Sequence, residues 1–414
     1  MLINPVKSWK GKLIGMKILK RVTAVLLTAV VAVSFTACGG RSEHAKKLNI
    51  DTAVSINIWY QDDAYTSYLD YIAQQFHKAN EFITVNPVKV EENNLLDAVY
   101  NGSIDVYLME ASDMQRAYLM GLTAENDAYT QYYSQKHFPV TAVNAACYEG
   151  KLYGYPVTFH TAVMVYNKKY ATAPENFEQI EAFLNSYQVT DENKDVNMIV
   201  GWDTQDLWTN YAFGGSYVDN GGAQGEEAES DVQTEALKAA MTEYAALQNT
   251  FGIVDKTQEE YKQMFINNQL IYTILDSTQL ADLNASGVDY GICAVPGAKT
   301  GFGTQNLSDT ILAMVNPYSE NTDTAKAVAQ AISYDYADLL EKDTGYISAR
   351  TDVADKNKKV LSQPLYEVYA KSDSYAKYIG ADEFYVRYSI LLHNIWKGED
   401  LNESVDAFIK AVSR

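Results

Sequence analysis

The chain has 414 residues, with 33 basic and 53 acidic side chains and a formal net charge of −20. A field of that sign repels nucleic acid and anionic head groups, so neither is a principal partner, and the charge is read as solubility. Three cysteines with no C-x-x-C or Cys/His spacing exclude a disulfide framework and a zinc site.

The chain opens with an export signal. Lys17, Lys20 and Arg21 precede an apolar run over 22–33 and small residues up to Cys38. The run is shorter than the roughly 20 apolar residues of a membrane span, so cleavage is expected. Met1 and Met16 are both possible starts, since the signal is complete from Met16 onward. The tetrad Phe35-Thr36-Ala37-Cys38 resembles the bacterial lipobox, with Phe35 in place of the usual Leu. That resemblance implies lipid on Cys38, residues 1–37 as the signal peptide and residues 38–52 as a polar tether. Losing residues 1–37 removes six basic and no acidic side chains, which takes the net charge to −26. Attachment to the membrane would then rest on lipid alone. Of the remaining cysteines, Cys147 and Cys293, two buried thiols are the default reading and one disulfide stays open.

From Val54 the pattern alternates. Strands are expected at 54–59, 82–90 (broken by Pro87) and 104–109, and helices at 65–79, 93–101 and 113–120. This βαβαβα succession predicts a parallel sheet covered on both faces, with ligand beyond the carboxyl ends of its strands. That rule places Trp59, Asp62, Asp63 and Glu110 at a common rim; Asp113 is read as a helix cap. Further helices are expected at 175–187, 234–248, 259–266, 321–337, 384–396 and 401–412, and strands at 270–275, 290–295 and 311–315. Residues 220–231, Gly-rich then Glu-rich, read as a surface loop. The length after the signal exceeds what one core usually supports, so two lobes are expected.

The segment from Tyr148 to Tyr170 carries Gly150-Lys151-x-Tyr153-Gly154-x-Pro156 and then Tyr166-Asn167-Lys168. It resembles the signature of extracellular solute-binding proteins of the maltose-binding type. Phe213-Gly214-Gly215, Met264-Phe265, Tyr290-Gly291 with Val295-Pro296-Gly297, and Lys397-Gly398-Glu399-Asp400 follow in that family's order. The resemblance implies an α/β, periplasmic-binding-protein-like two-lobe fold of type II, each lobe a mixed sheet flanked by helices, with the ligand cleft between. It puts one lobe at 53–157 plus 299–334 and the other at 158–298 plus 335–414. It implies an extracellular substrate-binding lipoprotein of an ABC importer, on the outer face of the cytoplasmic membrane. Such a protein captures a solute, a sugar or oligosaccharide first of all, and hands it to permease subunits. A monomer without cofactor, metal or catalytic activity is expected. A binder for a polyol phosphate, polyamine or peptide is the alternative; a carbohydrate-active enzyme and an adhesive surface lipoprotein stay open behind it.

Sugars present hydroxyl edges and an apolar ring face, which call for stacking aromatics beside carboxylates and amides. Trp59 with Asp62 and Asp63 has that chemistry, against the plain reading of a core tryptophan and a solvated turn. Trp202 and Trp208 precede the Gly-Gly loop, where relatives carry a cleft aromatic; one of the two is expected in the core. Asp276 stands where relatives often have a tryptophan, either as an acid facing the cleft or as a helix cap. It weakens a maltose-like ligand in favour of a polyhydroxylated or amino-bearing one. His160 follows the hinge signature and either reaches the ligand or is structural. Arg350 either binds ligand or braces its lobe. HExxH, GxSxG, Walker and GxGxxG patterns are absent.

Overall fold

The computed structural model describes residues 47–91, 95–219, 221–225, 231–356 and 362–412. The export signal, Cys38 and most of the tether lie outside these residues. Among the described residues, no helix is long and apolar enough to cross a membrane.

The first three expected strands form β1 (Val54–Tyr60), β2 (Ile83–Lys89) and β3 (Val106–Glu110). β1 lies between the other two and parallel to both. Pro87 does not break β2. That strand is at the edge of the sheet, where a missing N–H costs no ladder bond, and Pro87 pairs in register with Ile58. Helix α1 (Thr66–Ala79) buries Tyr68, Leu69, Ile72 and Phe76 against one face, at the spacing of a single helical stripe. Helices α2 (Leu95–Asn101) and α3 (Met114–Leu119) cover the other face.

The remaining strands are β4 (Tyr155–Asn167), β5 (Met198–Val200), β6 (Leu270–Asp276), β7 (Tyr290–Cys293), β8 (Leu307–Val315) and β9 (Asp373–Ser374). The main path runs β2-β1-β3-β8-β4-β6-β5, with β7 also on β4 and β9 on β8. The sheet is parallel across β1 to β3, as the βαβαβα succession predicts, and mixed from β8 onward, which runs antiparallel to both β3 and β4.

β4 governs the architecture. Its first half, Tyr155 to Thr161, pairs with β8, and its second half, Ala162 to Asn167, pairs with β6 and β7. The Gly-Lys motif just before it forms a two-residue turn joining Cys147–Tyr148 to Lys151–Leu152. Glu149 (φ 47°) and Gly150 (φ 72°) are both left-handed there, which suits the twist of a tight hairpin and explains the glycine. Cys147 and Cys293 are free thiols, the first buried and the second half-buried.

A second set of helices packs around an aromatic core. Phe177–Ser186, Thr234–Phe251, Ala381–Trp396 and Leu401–Val412 enclose Phe177, Trp202, Phe213, Tyr244 and Trp396. Trp202 is 0% exposed and its indole N–H donates to Asn210 Oδ1 at 2.8 Å.

Candidate functional site

A cavity of about 560 Å³ opens where the carboxyl ends of β1 and β3 meet the middle of β4. Gln61, Asp62, Tyr65, Glu110, Asp113, Arg116, Phe159, His160, Thr278 and Tyr346 line it. Of the four residues that the carboxyl-end rule placed at a common rim, Asp62 and Glu110 line this cavity.

His160 sits at the centre, one residue before β4 passes from one set of partners to the other, and directly opposite Asp309 of β8. Its Nδ1 lies 3.0 Å from Asp276 Oδ2 and its Nε2 lies 3.9 Å from Glu110 Oε1. Nε2 itself is buried and has no hydrogen-bond partner among the described residues. Burial works against a charged imidazole, but the bond to Asp276 and the nearby acids Asp309 and Glu110 overcome it, raising His160 to about 9. Asp276 is buried too, which alone would raise its pKa; His160 and Thr278 outweigh that and hold it below the usual carboxylate range. Asp276 is the cap: one oxygen accepts from Thr278 N at 2.9 Å at the start of the turn Ser277–Gln279, while the other meets His160 and not the cavity itself.

Burial and the neighbouring Asp309 push Glu110 up to about 7. Asp309, 1% exposed, accepts from the backbone N–H of Ser112 at 3.3 Å and of Thr310 at 2.7 Å, and burial raises it. Asp113 does not cap α3. It makes no side-chain cap bond and faces the cavity; Asp309 serves the helix start through Ser112 instead. Asp62 accepts from Ala64 N at 2.9 Å and from the Tyr346 hydroxyl at 2.6 Å, which closes one wall of the site. Trp208 stands edge-on to His160 at 5.2 Å between centroids, with Tyr375 5.9 Å beyond it.

Asp62, Glu110, His160, Asp276 and Trp208 are thus brought together, and four expected residues are not. Trp59 points to the opposite face of β1, where its ring lies over Gly102 so closely that an added Cβ would meet Cη2 at 2.3 Å. Asp63 is turned out to pair with Lys89 at 2.7 Å. Trp202 belongs to the aromatic core, where it is fully buried. Arg350 braces its surroundings: it pairs with Asp352 at 2.8 Å and lies 3.9 Å over the Tyr334 ring. Asp309, Arg116, Tyr65 and Tyr346 were not expected. Asp309 had a signal, an acid followed by an apolar strand, but its register with His160 spans a long loop of sequence.

Glu110, His160 and Asp309 each offer one ligand atom within 4.8 Å of the others. Asp309 already accepts from two backbone amides and His160 is bonded to Asp276, so two of the three already sit in charge-assisted hydrogen bonds.

The sequence profile of bacterial extracellular solute-binding proteins matches residues 71–367. Among curated proteins, the chain is 22% identical to maltodextrin-binding protein MdxE of Bacillus subtilis, over 69% of this chain and 70% of that one. It is 21% identical to the galactooligosaccharide-binding protein of the same organism, over 76% of each. A cyclo/maltodextrin-binding protein complexed with maltotetraose superposes with a TM-score of 0.72 at 15% identity, covering 88% of this chain and 98% of that one. A Staphylococcus aureus extracellular solute-binding protein in complex with maltose gives 0.72 at 18% identity, with the same coverage. The fold is therefore the mixed α/β fold of the maltose-binding proteins, with helices flanking mixed sheets.

Proposed function

Because this chain belongs to the family of bacterial extracellular solute-binding proteins, we propose that it captures a sugar or oligosaccharide outside the cell for an ABC importer. It does so as a binder without turnover. The observation that carries this reading is the cavity around His160. Carboxylates and an imidazole line it for hydroxyl groups, and the aromatic side chains Tyr65 and Tyr346 line it for an apolar ring. The sugar-binding names of the curated relatives support the ligand class.

Capture takes place between two lobes, residues 53–157 plus 299–334 and residues 158–298 plus 335–414, which close over the solute. The division of β4 between two sets of partner strands supports a hinge at that point. Closure biased by contacts to both lobes is what permease subunits would recognise. Cys38 carries the lipid that holds the chain, as a monomer, at the outer face of the cytoplasmic membrane.

Calorimetry and small-angle scattering on the chain from Cys38 onward, against a panel of mono- and oligosaccharides, test the reading. Heat of binding together with compaction for one of them is the expected result. Neither heat nor compaction with any sugar removes the carbohydrate assignment. Mass spectrometry of the cell-derived protein decides the lipid: a diacylglycerol mass on an amino-terminal Cys38 is expected.

A further inference from the structure

The balance of charge in the cavity narrows the solute further, on the premise that it is a carbohydrate. Asp62, Glu110 and Asp113 line the space and Asp309 lies directly behind. Two cations stand among them, and each is already engaged by another acid: His160 is nearer Asp276 (3.0 Å) than Glu110 (3.9 Å), and Arg116 pairs with Asp97 at 3.3 Å. Asp62 has its own donors in Ala64 and Tyr346. Asp309 has backbone donors in Ser112 and Thr310. Among the described residues, the Glu110 carboxylate has no hydrogen bond and no ion pair closer than that 3.9 Å approach, and the Asp113 carboxylate accepts no hydrogen bond.

A neutral sugar hydroxyl can donate to Glu110 or Asp113, but it leaves the repulsion among Glu110, Asp113 and Asp309 in place. A cation removes it. The cation must be small, a good hydrogen-bond donor and attached to a body that suits the aromatic edges. We infer that the solute is a carbohydrate bearing a protonated amine, held by Glu110 and Asp113 with Asp309 as the fixed charge behind them. The ammonium donates to the two cavity-facing carboxylates, and the sugar ring packs toward Tyr65 or Tyr346. An N-acetylated amine has no charge and carries extra bulk, so it is discriminated against.

Three trisaccharides matched in length separate the possibilities: β-1,4-linked triglucosamine, its fully N-acetylated counterpart, and cellotriose, each titrated calorimetrically into the chain from Cys38 onward. The expected result is that triglucosamine binds at least about tenfold tighter than the other two, the scale of one charge-assisted hydrogen bond. Added sodium chloride should shrink that preference. Glu110→Gln and Asp113→Asn should each bring the ratio of amine to neutral affinity toward one. Both are near-isosteric, and circular dichroism confirms that they fold. Equal or weaker binding of triglucosamine beside measurable cellotriose binding overturns the amine while leaving the carbohydrate reading intact. Silence from all three overturns the amine inference, and the carbohydrate reading is then decided by the wider sugar panel. A ratio unmoved in both variants overturns the assignment to these carboxylates.

Discussion

Two polar clusters in this protein are built on opposite terms. Around Trp202, Asn210 is fully served: its oxygen accepts from the Trp202 indole and the Tyr244 hydroxyl, both at 2.8 Å, and its amide donates to the carbonyls of Asp203 and Asp206 at 2.7 Å. Around His160, Glu110 and Asp113 face the cavity without strong partners, and burial, with neighbouring acids behind it, raises the pKa of both. A saturated cluster of this kind fixes one packing and contributes stability. An unsaturated one lowers stability and keeps its hydrogen-bonding capacity for something that arrives from outside.

That contrast can be broken by substitution. Trp202→Ala should have the largest effect, about 3–5 kcal/mol, because it empties a fully buried site and strands Asn210 and Tyr244. A loss below 1 kcal/mol in urea unfolding would mean the aromatic core is not the stabilising region. His160→Leu should cost less, about 2–3 kcal/mol, since Asp276 loses its cation but keeps Thr278. The imidazole has a sign of its own. With its pKa raised to about 9, its contribution is complete below 6.5 and disappears as pH rises through 9. Proton NMR of the His160 ring should show that late titration, and a midpoint near 6.5 would break the ion-pair description.

Glu110→Gln should act in the reverse direction. With a native pKa near 7 against an ordinary 4.5, the folded protein holds the extra proton in between, so stability falls as pH rises across that window. The variant should lose this slope and gain up to about 1 kcal/mol above pH 7, a small figure because the side chain is half-exposed and screened. Thermal melts from pH 4.5 to 8 decide it; a steeper slope in the variant would contradict the repulsion. Gly150→Ala should be the mildest change, about 1 kcal/mol from forcing a side chain at φ 72° with open space around it. Since it lies in neither cluster, solute binding by this variant serves as the control.

Much of the fold could be read from local pattern. The apolar pattern gave β1 to β3 and α1 to α3 nearly to their ends. What local pattern cannot give is pairing between distant strands. β8 was expected only from Ile311, because Ser308, Asp309 and Thr310 are polar, yet these residues are buried and lie opposite Thr161, His160 and Phe159. The same limit applies to the site. Asp62, Glu110 and His160 follow from strand ends and a motif, whereas the facing of Trp59 depends on which side of β1 the second core cluster occupies. Between Trp202 and Trp208, nothing in the adjacent residues says which one meets Asn210. Arg350 was undecided for a related reason: Asp352 lies two residues on, but the packing over the Tyr334 ring comes from a separate segment.

β4 has one more consequence. A strand whose two halves are clamped into different ladders is a torsion bar, and twisting one set of partner strands against the other must be absorbed near Thr161 and Ala162. Points on such a bar move in proportion to their distance from the axis. Under the proposed closure, His160, one residue from that point, would move least. The imidazole would then be a reference against which the rest of the site is measured, and a solute that reached it would sense the swing of both sides at once.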